Sequence, residues 1–251
     1  MRIALLALSL MLTACGQREV PPPLPEAEEA AAGPATWFLC DAIDAPVLLA
    51  FTRDGETVRV VQYEKPSGAL LMRTEYTIGG EEGAAGSVYT TLVQNGAEAG
   101  VIRQINPGML ETPASAYTLP FTSVRIGTRE ISCRWLPRTR LMGFTGRRTI
   151  VVHEDQDGDL LYTSYDFASA AEAEPIELSE NARSTTFSLE ARDGAEQVTP
   201  EGTTYTFQAD SETQVIVTVR GGEGTVEVRR HGPRPVQNEP LLGFVEGDGR
   251  G

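Results

Sequence analysis

The chain has 251 residues, with 35 Asp and Glu against 21 Lys and Arg, for a net charge of −14 at neutral pH. A charge of that sign and size excludes nucleic acid and anionic lipid surfaces as electrostatic partners. The basic residues are 20 Arg and a single Lys, Lys65, a ratio that reads as coding bias and not as function.

The first elements are those of an export signal. Arg2 supplies a positive start, and Ile3 to Leu12 form an apolar run. The run is far short of the roughly twenty residues that span a bilayer, and it matches the hydrophobic part of a secretory signal. Leu12-Thr13-Ala14-Cys15 follows. This resembles the lipobox of bacterial lipoproteins. The resemblance implies cleavage after residue 14, a diacylglyceryl group on the Cys15 sulfur and a further acyl chain such as palmitate on its amine. Several chains together anchor stably where one is marginal. Gly16 stands where an aspartate would signal retention in the inner membrane, so the resemblance implies the outer membrane, with the body facing the periplasm or the cell surface. The competing reading is an ordinary signal with a chance cysteine. No later apolar run approaches membrane-spanning length, so everything past Cys15 is expected to be soluble.

Residues 15–35 read as the lipidated cysteine and a tether. Pro21-Pro22-Pro23, Pro25 and a Glu/Ala run carry no aromatic side chain and cannot bury a core. Proline segments run extended at about 3.1 Å per residue, so a disordered tether would hold the body away from the membrane.

Strand signals then dominate. Thr57 to Tyr63, Thr149 to His153, Thr185 to Ala191, Thr203 to Ala209, Thr213 to Arg220 and Thr225 to Arg229 are β-branched or alternating. Asp54-Gly55, Asn95-Gly96, Asp157-Gly158, Asp193-Gly194 and Gly221-Gly222 supply the positive φ of tight hairpins. Helical periodicity is nearly absent; Ala168 to Ala182 reads as a short helix or an exposed loop. The expected class is all-β and antiparallel, with two small related β-barrel or sandwich lobes, 36–146 and 147–251. The relation rests on a short repeat. Leu141-Met142-Gly143-Phe144 recurs as Leu241-Leu242-Gly243-Phe244, and Val124-Arg125 ahead of the first matches Val228-Arg229 ahead of the second.

Cys40 and Cys133 are the cysteines of the mature body. An even count in an oxidising compartment points to one disulfide; a reactive thiol or a metal pair is the alternative. Charge is uneven between the lobes. Arg125 to Arg148 holds seven arginines and one acid, whereas residues 149–251 hold 20 acids and seven arginines. Arg134, Arg138, Arg140, Arg147 and Arg148 either pair with acids of the neighbouring lobe or form a docking site for an anionic partner, since arginine forks suit both.

Catalytic constellations are sparse. His153 and His231 are the only imidazoles. His153-Glu154 begins like a zinc-protease motif, but no second histidine follows. No nucleophile elbow, Walker loop or dinucleotide fingerprint occurs. Asp155, Asp157 and Asp159 alternate around Gly158 like the start of a calcium loop, yet the later glutamate is missing; a solvated hairpin tip is the simpler reading. No other metal ligands and no cofactor are expected.

Trp37-Phe38-Leu39-Cys40 opens the first lobe and Glu130-Ile131-Ser132-Cys133 closes it. This layout resembles the membrane-bound lysozyme inhibitors, small lipoprotein barrels with a disulfide between an early and a last strand. Their Ser-Gly-x-x-Tyr loop is not matched. Ser67-Gly68-Ala69-Leu70-Leu71 carries leucine for tyrosine, and Gly202-Thr203-Thr204-Tyr205 lacks the serine, so no inhibitory residue carries over. The expected function is a lipid-anchored binding or inhibitory module of the cell envelope, facing a protein or glycan. A structural or assembly lipoprotein and a wall-polymer hydrolase are the alternatives.

Overall fold

The computed structural model describes residues 35–110, 116–168, 188–233 and 235–247. The signal, Cys15 and the tether up to residue 34 lie outside these, as do all but Ala168 of the Ala168–Ala182 segment and the first residues of the Thr185–Ala191 strand. Among the described residues, no helix is long and apolar enough to cross a membrane.

Among the described residues, seventeen strands form two antiparallel sheets. The first is a meander of eight in chain order: β1 (Thr36–Asp41), β2 (Val47–Asp54), β3 (Thr57–Glu64), β4 (Leu70–Ala84), β5 (Ser87–Gln94), β6 (Ala97–Ile105), β7 (Phe121–Ile126) and β8 (Arg129–Ser132). It is nearly closed. Ala42 forms a bridge with Cys133, the Ile43 amide donates to the Ser132 carbonyl at 3.0 Å and the Arg134 amide to that of Asp41 at 2.8 Å. Cys40 and Cys133 are disulfide-bonded across this seam, with Cα atoms 4.7 Å apart. Inside, alternate residues such as Phe51, Val58, Val60, Leu92 and Ile102 are buried. Phe38 stacks between Phe51 and Phe121, at 4.1 and 4.0 Å between ring centres, contacts worth about 0.5–1.5 kcal/mol each beyond their area.

The second sheet holds β9 (Thr139–Phe144), β10 (Arg148–Glu154), β11 (Leu160–Asp166), β12 (Leu189–Thr199), β13 (Gly202–Gln208), β14 (Thr213–Arg220), β15 (Glu223–Arg230), β16 (Gln237–Pro240) and β17 (Gly243–Glu246). β9 to β16 again follow chain order, and β17 returns to pair with β9. Pro240 pairs with Thr225 of β15, while Gly243 pairs with Phe144 of β9. The chain therefore passes from one edge of this curled half-barrel to the other across Leu241 and Leu242. The interior is apolar, with Ile150, Val152, Phe207, Val215, Val217 and Val226 buried.

The change of sheet falls between Ser132 and Thr139, so Thr139–Phe144 hydrogen-bonds in the second sheet, ahead of the expected break at 146. The two copies of the short repeat sit eight strands apart: Val124-Arg125 in β7 and Val228-Arg229 in β15, Leu141 to Phe144 in β9 and Gly243-Phe244 in β17. They also meet each other. Gly143 pairs with Phe244, and Phe144 with Gly243. A Cβ on Gly243 would lie 2.9 Å from the Phe144 ring, and one on Gly143 would lie 3.1 Å from Leu241 and from Phe244. Each glycine makes room for bulky apolar side chains at this crossing.

Asp193-Gly194 is not a hairpin turn. Asp193 has φ of 54°, and the register of β12 against β13 shifts between Arg192 and Ala195. The positive φ is spent on a bulge that bends β12, and Gly194 lies under the Phe207 ring, where a Cβ would come within 2.1 Å. The other turn dipeptides lie between strands, with Gly55, Gly96, Gly158, Gly221 and Gly222 all at positive φ.

A third apolar cluster joins the sheets. Leu39 and Leu48 of the first pack with Met142, Phe144, Val151 and Phe167 of the second. β1, β2, β9 and β10 are therefore buried on both faces, which is why Val47 to Phe51 and Leu141 to Phe144 read as unbroken apolar runs.

Candidate functional site

The structure distributes the five arginines over four places. Arg134, just past β8, donates from Nε to Asp41 Oδ2 at 2.7 Å. On the other side of that carboxylate, Lys65 Nζ lies 2.6 Å from Oδ1 and also donates to the Ala42 carbonyl. The Arg134 guanidinium lies over the Tyr165 ring of β11, 3.5 Å from its centre. Burial pushes the Asp41 carboxyl up, and the charges of Lys65 and then Arg134 overcome it, holding it below the usual carboxylate value. This triad sits beside the disulfide and ties the closing seam of the first sheet to the second. Sequence reasoning missed it, although a lone lysine among 21 basic residues was the available signal.

Arg138 donates to the carbonyl of Asp155 at 2.8 Å, bracing the acidic turn. Within that turn Asp155 Oδ1 accepts the amides of Asp157 at 2.9 Å and Asp159 at 3.0 Å. The alternating aspartates thus hold a hairpin tip, and among the described residues no three His, Cys, Asp or Glu side chains converge as metal ligands would. Arg140 donates from Nε to Glu154 Oε1 at 2.8 Å and lies over the Tyr117 ring, whose hydroxyl donates to Glu154 Oε2 at 2.9 Å. Glu246 of β17 lies near Glu196 of β12 at this same end. Burial and then the charge of Glu196 raise the Glu246 carboxyl above its usual value. His153 is half-buried in β10, and burial holds its imidazole below the ordinary histidine value; His231 is exposed in the turn after β15.

Arg147 and Arg148 share a cavity. It opens at one end of the second sheet, has a volume of about 810 Å³, and is lined by Asp166, Glu212, Thr213 and Arg230 besides these two arginines. The register of β10 against β11 builds its wall. From the apolar middle outward, the cross-strand pairs on the inner face are Val152–Tyr162, Ile150–Ser164 and Arg148–Asp166. Opposite stand Val215–Val228 and then Thr213–Arg230 of β14 and β15. Apolar residues fill the sheet, and polar residues crown it.

Charges in the crown are matched. Arg148 Nη2 lies 3.1 Å from Glu239 Oε1, and its Nε lies 3.5 Å from Asp166 Oδ1. Glu239 is further held by the Thr145 hydroxyl, which donates at 2.8 Å. The side chains of Arg148 and Glu239 are only 14% and 13% exposed, whereas Arg147, 3.9 Å from Glu239, stands out in solvent. Beneath the crown, Arg148 Nε and Asp166 Oδ1 are sealed from solvent as an ion pair, and the Ser164 and Tyr162 hydroxyls are sealed beside each other. Ser164 and Tyr162 are both fully buried. Burial pushes the Tyr162 phenol up to about 12, so it stays a neutral hydroxyl.

The hairpin turn after β3 that holds Ser67-Gly68 packs against the second sheet. A Cβ on Gly68 would fall 2.1 Å from the Gly146 carbonyl oxygen. No protein-family profile, curated protein or solved structure matches the chain.

Proposed function

We propose that this chain is an exported, lipid-anchored protein of the bacterial outer membrane that binds a ligand in the mouth of its second sheet. The anchor reading is supported by Leu12-Thr13-Ala14-Cys15 at the end of a short apolar run. The binding reading is carried by one observation: an open cavity of about 810 Å³ at the mouth of the second sheet, lined by Arg147, Arg148, Asp166, Glu212, Thr213 and Arg230 over an apolar interior. Binding sites occur in such barrel mouths, and their volumes fall in the range of a few hundred to about 1,000 Å³. The arginines and carboxylates of the crown are engaged with one another, which favours recognition over catalysis.

The anchor is tested by mass spectrometry of the mature N-terminus from membranes. A triacylated Cys15 as first residue supports the proposal, and Cys15→Ser should shift the protein from the membrane to the soluble fraction. Recovery of unmodified Cys15 within an uncleaved or differently cleaved chain overturns it.

A further inference from the structure

We propose that the open edge of β4, in the first sheet, docks a second copy of this chain, strand against strand about a two-fold axis. β4 changes partner along its length. Leu70 to Thr77 pair with β3, and the ladder to β5 begins only at Thr77. Among the described residues, Leu70 to Tyr76 therefore have a neighbouring strand on one side alone. The Ile78 amide donates to the Glu56 carbonyl at 2.8 Å. In this antiparallel ladder the even-numbered residues thus turn their backbone groups to β3, and Arg73 and Glu75 turn theirs to the open side. The Gln94 side-chain amide caps the Glu75 carbonyl there at 3.3 Å. Along this edge stand three consecutive large apolar side chains, Leu70, Leu71 and Met72, at 47%, 52% and 37% exposure.

Unpaired strand edges template pairing with another chain unless charge, proline or a bulge blunts them. The far half of β4 is also unpaired on one side, beyond Thr77 on the β3 side, and there Glu81 and Glu82 guard it. The near half has an irregularity of register opposite Gln62 and Tyr63, but its first acid is Glu75, which is engaged with Arg59 at 3.2 Å.

The geometry selects the occupant. Two identical antiparallel strands are self-complementary about a two-fold, the isologous contact of a symmetric dimer. β5 limits the register, because a docked strand lies end to end with it and stops at its last residue, Gln94. Setting Met72 against Met72 of the second copy is the longest register within that limit, since Glu75 then faces Ala69, just ahead of the second copy's β4. Leu71 faces Arg73 and Leu70 faces Thr74, so no charge stands directly opposite its like. Moving the axis to Arg73 sets arginine on arginine and runs the second copy into Gln94. From Ala69 to Glu75 the edge carries one Arg and one Glu, on a chain of net charge −14, and so offers no net charge to hold a basic or an acidic partner. Two such chains repel at long range, and the contact therefore tightens as salt screens them.

The test is sedimentation equilibrium of the full chain carrying Cys15→Ser, at low and high salt, alone and with Arg73→Pro or Leu71→Glu. Arg73→Pro removes an N–H that faces the open side, a place where an edge strand tolerates proline. Leu71→Glu puts an acid on an exposed position, and thermal midpoints check that both variants fold. The proposal expects a monomer–dimer equilibrium that tightens with salt, with a dissociation constant raised at least about tenfold by each substitution. Met72→Cys, oxidised with copper phenanthroline, should yield a reducible dimer, because facing residues bring their Cβ atoms to about 4.5–5.5 Å. Glu82→Cys should not. A monomer at every concentration, dimers untouched by both edge variants, or dimers that weaken with salt overturn the proposal. Dimers that Met72→Cys fails to cross-link overturn the two-fold contact.

Discussion

Replacing Asp41 by Asn removes the carboxylate between two buried cations. Lys65 is then left buried, its side chain 4% exposed, with the Ala42 carbonyl as its remaining contact. Breaking a buried ion pair from one side costs about 3–5 kcal/mol. For a body of this size each kcal/mol moves the thermal midpoint by about 2–4 °C, so the Asn variant should melt roughly 6–20 °C lower. Urea unfolding with the disulfide intact measures the loss directly. The pH dependence gives a second handle. The folded carboxyl titrates below its ordinary value of 3.8, so at moderately acid pH the unfolded chain binds the extra proton. Its stabilisation is fully present above the unfolded value and is lost as pH falls through the folded one. The gap between wild type and Asp41→Asn should therefore be widest near neutrality and close in acid. A loss below about 1 kcal/mol at neutral pH, the size of an exposed pair, would refute the claim that this triad holds the seam.

Replacing both Cys40 and Cys133 by Ala opens a cross-link over a separation of 93 residues, and chain entropy predicts a loss of about 4–5 kcal/mol; urea unfolding that shows a change under about 1 kcal/mol contradicts this. Glu246 has the opposite sign to Asp41. Its folded carboxyl titrates above its ordinary value of 4.5, so its contribution is most favourable below that value and declines as pH rises through the folded one. Glu246→Gln should therefore raise the thermal midpoint at neutral pH and lose that advantage in acid, and a midpoint gain independent of pH would point to another cause.

Strands with one wet face were legible in the residues. Thr57 to Tyr63 and Thr213 to Arg220 alternate because Val58, Val60, Val215, Val217 and Val219 face an interior while their neighbours face water. The disulfide was legible from an even cysteine count. The junction was not, because β1, β2, β9 and β10 bury both faces and lose the alternation that tells inside from outside. The arginine cluster left two readings open, pairing with acids or docking an anionic partner, for a related reason. Local sequence shows Arg125 to Arg148 as a basic block, but the partners Asp41 and Glu239 come from distant strands, and only the folded register brings them to Arg134 and Arg148. The crown of the second sheet was equally hidden: Ser164 and Tyr162 look like ordinary strand residues until β10 and β11 are aligned. Asp193-Gly194 showed that positive φ marks either a turn or a bulge, and the sequence does not separate the two.

The most direct test of a ligand site in the second sheet is amide NMR of the uniformly nitrogen-labelled full chain, titrated in turn with chitotetraose, inorganic phosphate and ethanolammonium. The account predicts saturable shifts with at least one of them, confined to Arg148, Asp166, Ser188 and the facing residues Thr213, Val228 and Arg230. Shifts gathered instead around the Arg140–Glu154–Tyr117 end, or none at all at saturating ligand, would contradict it.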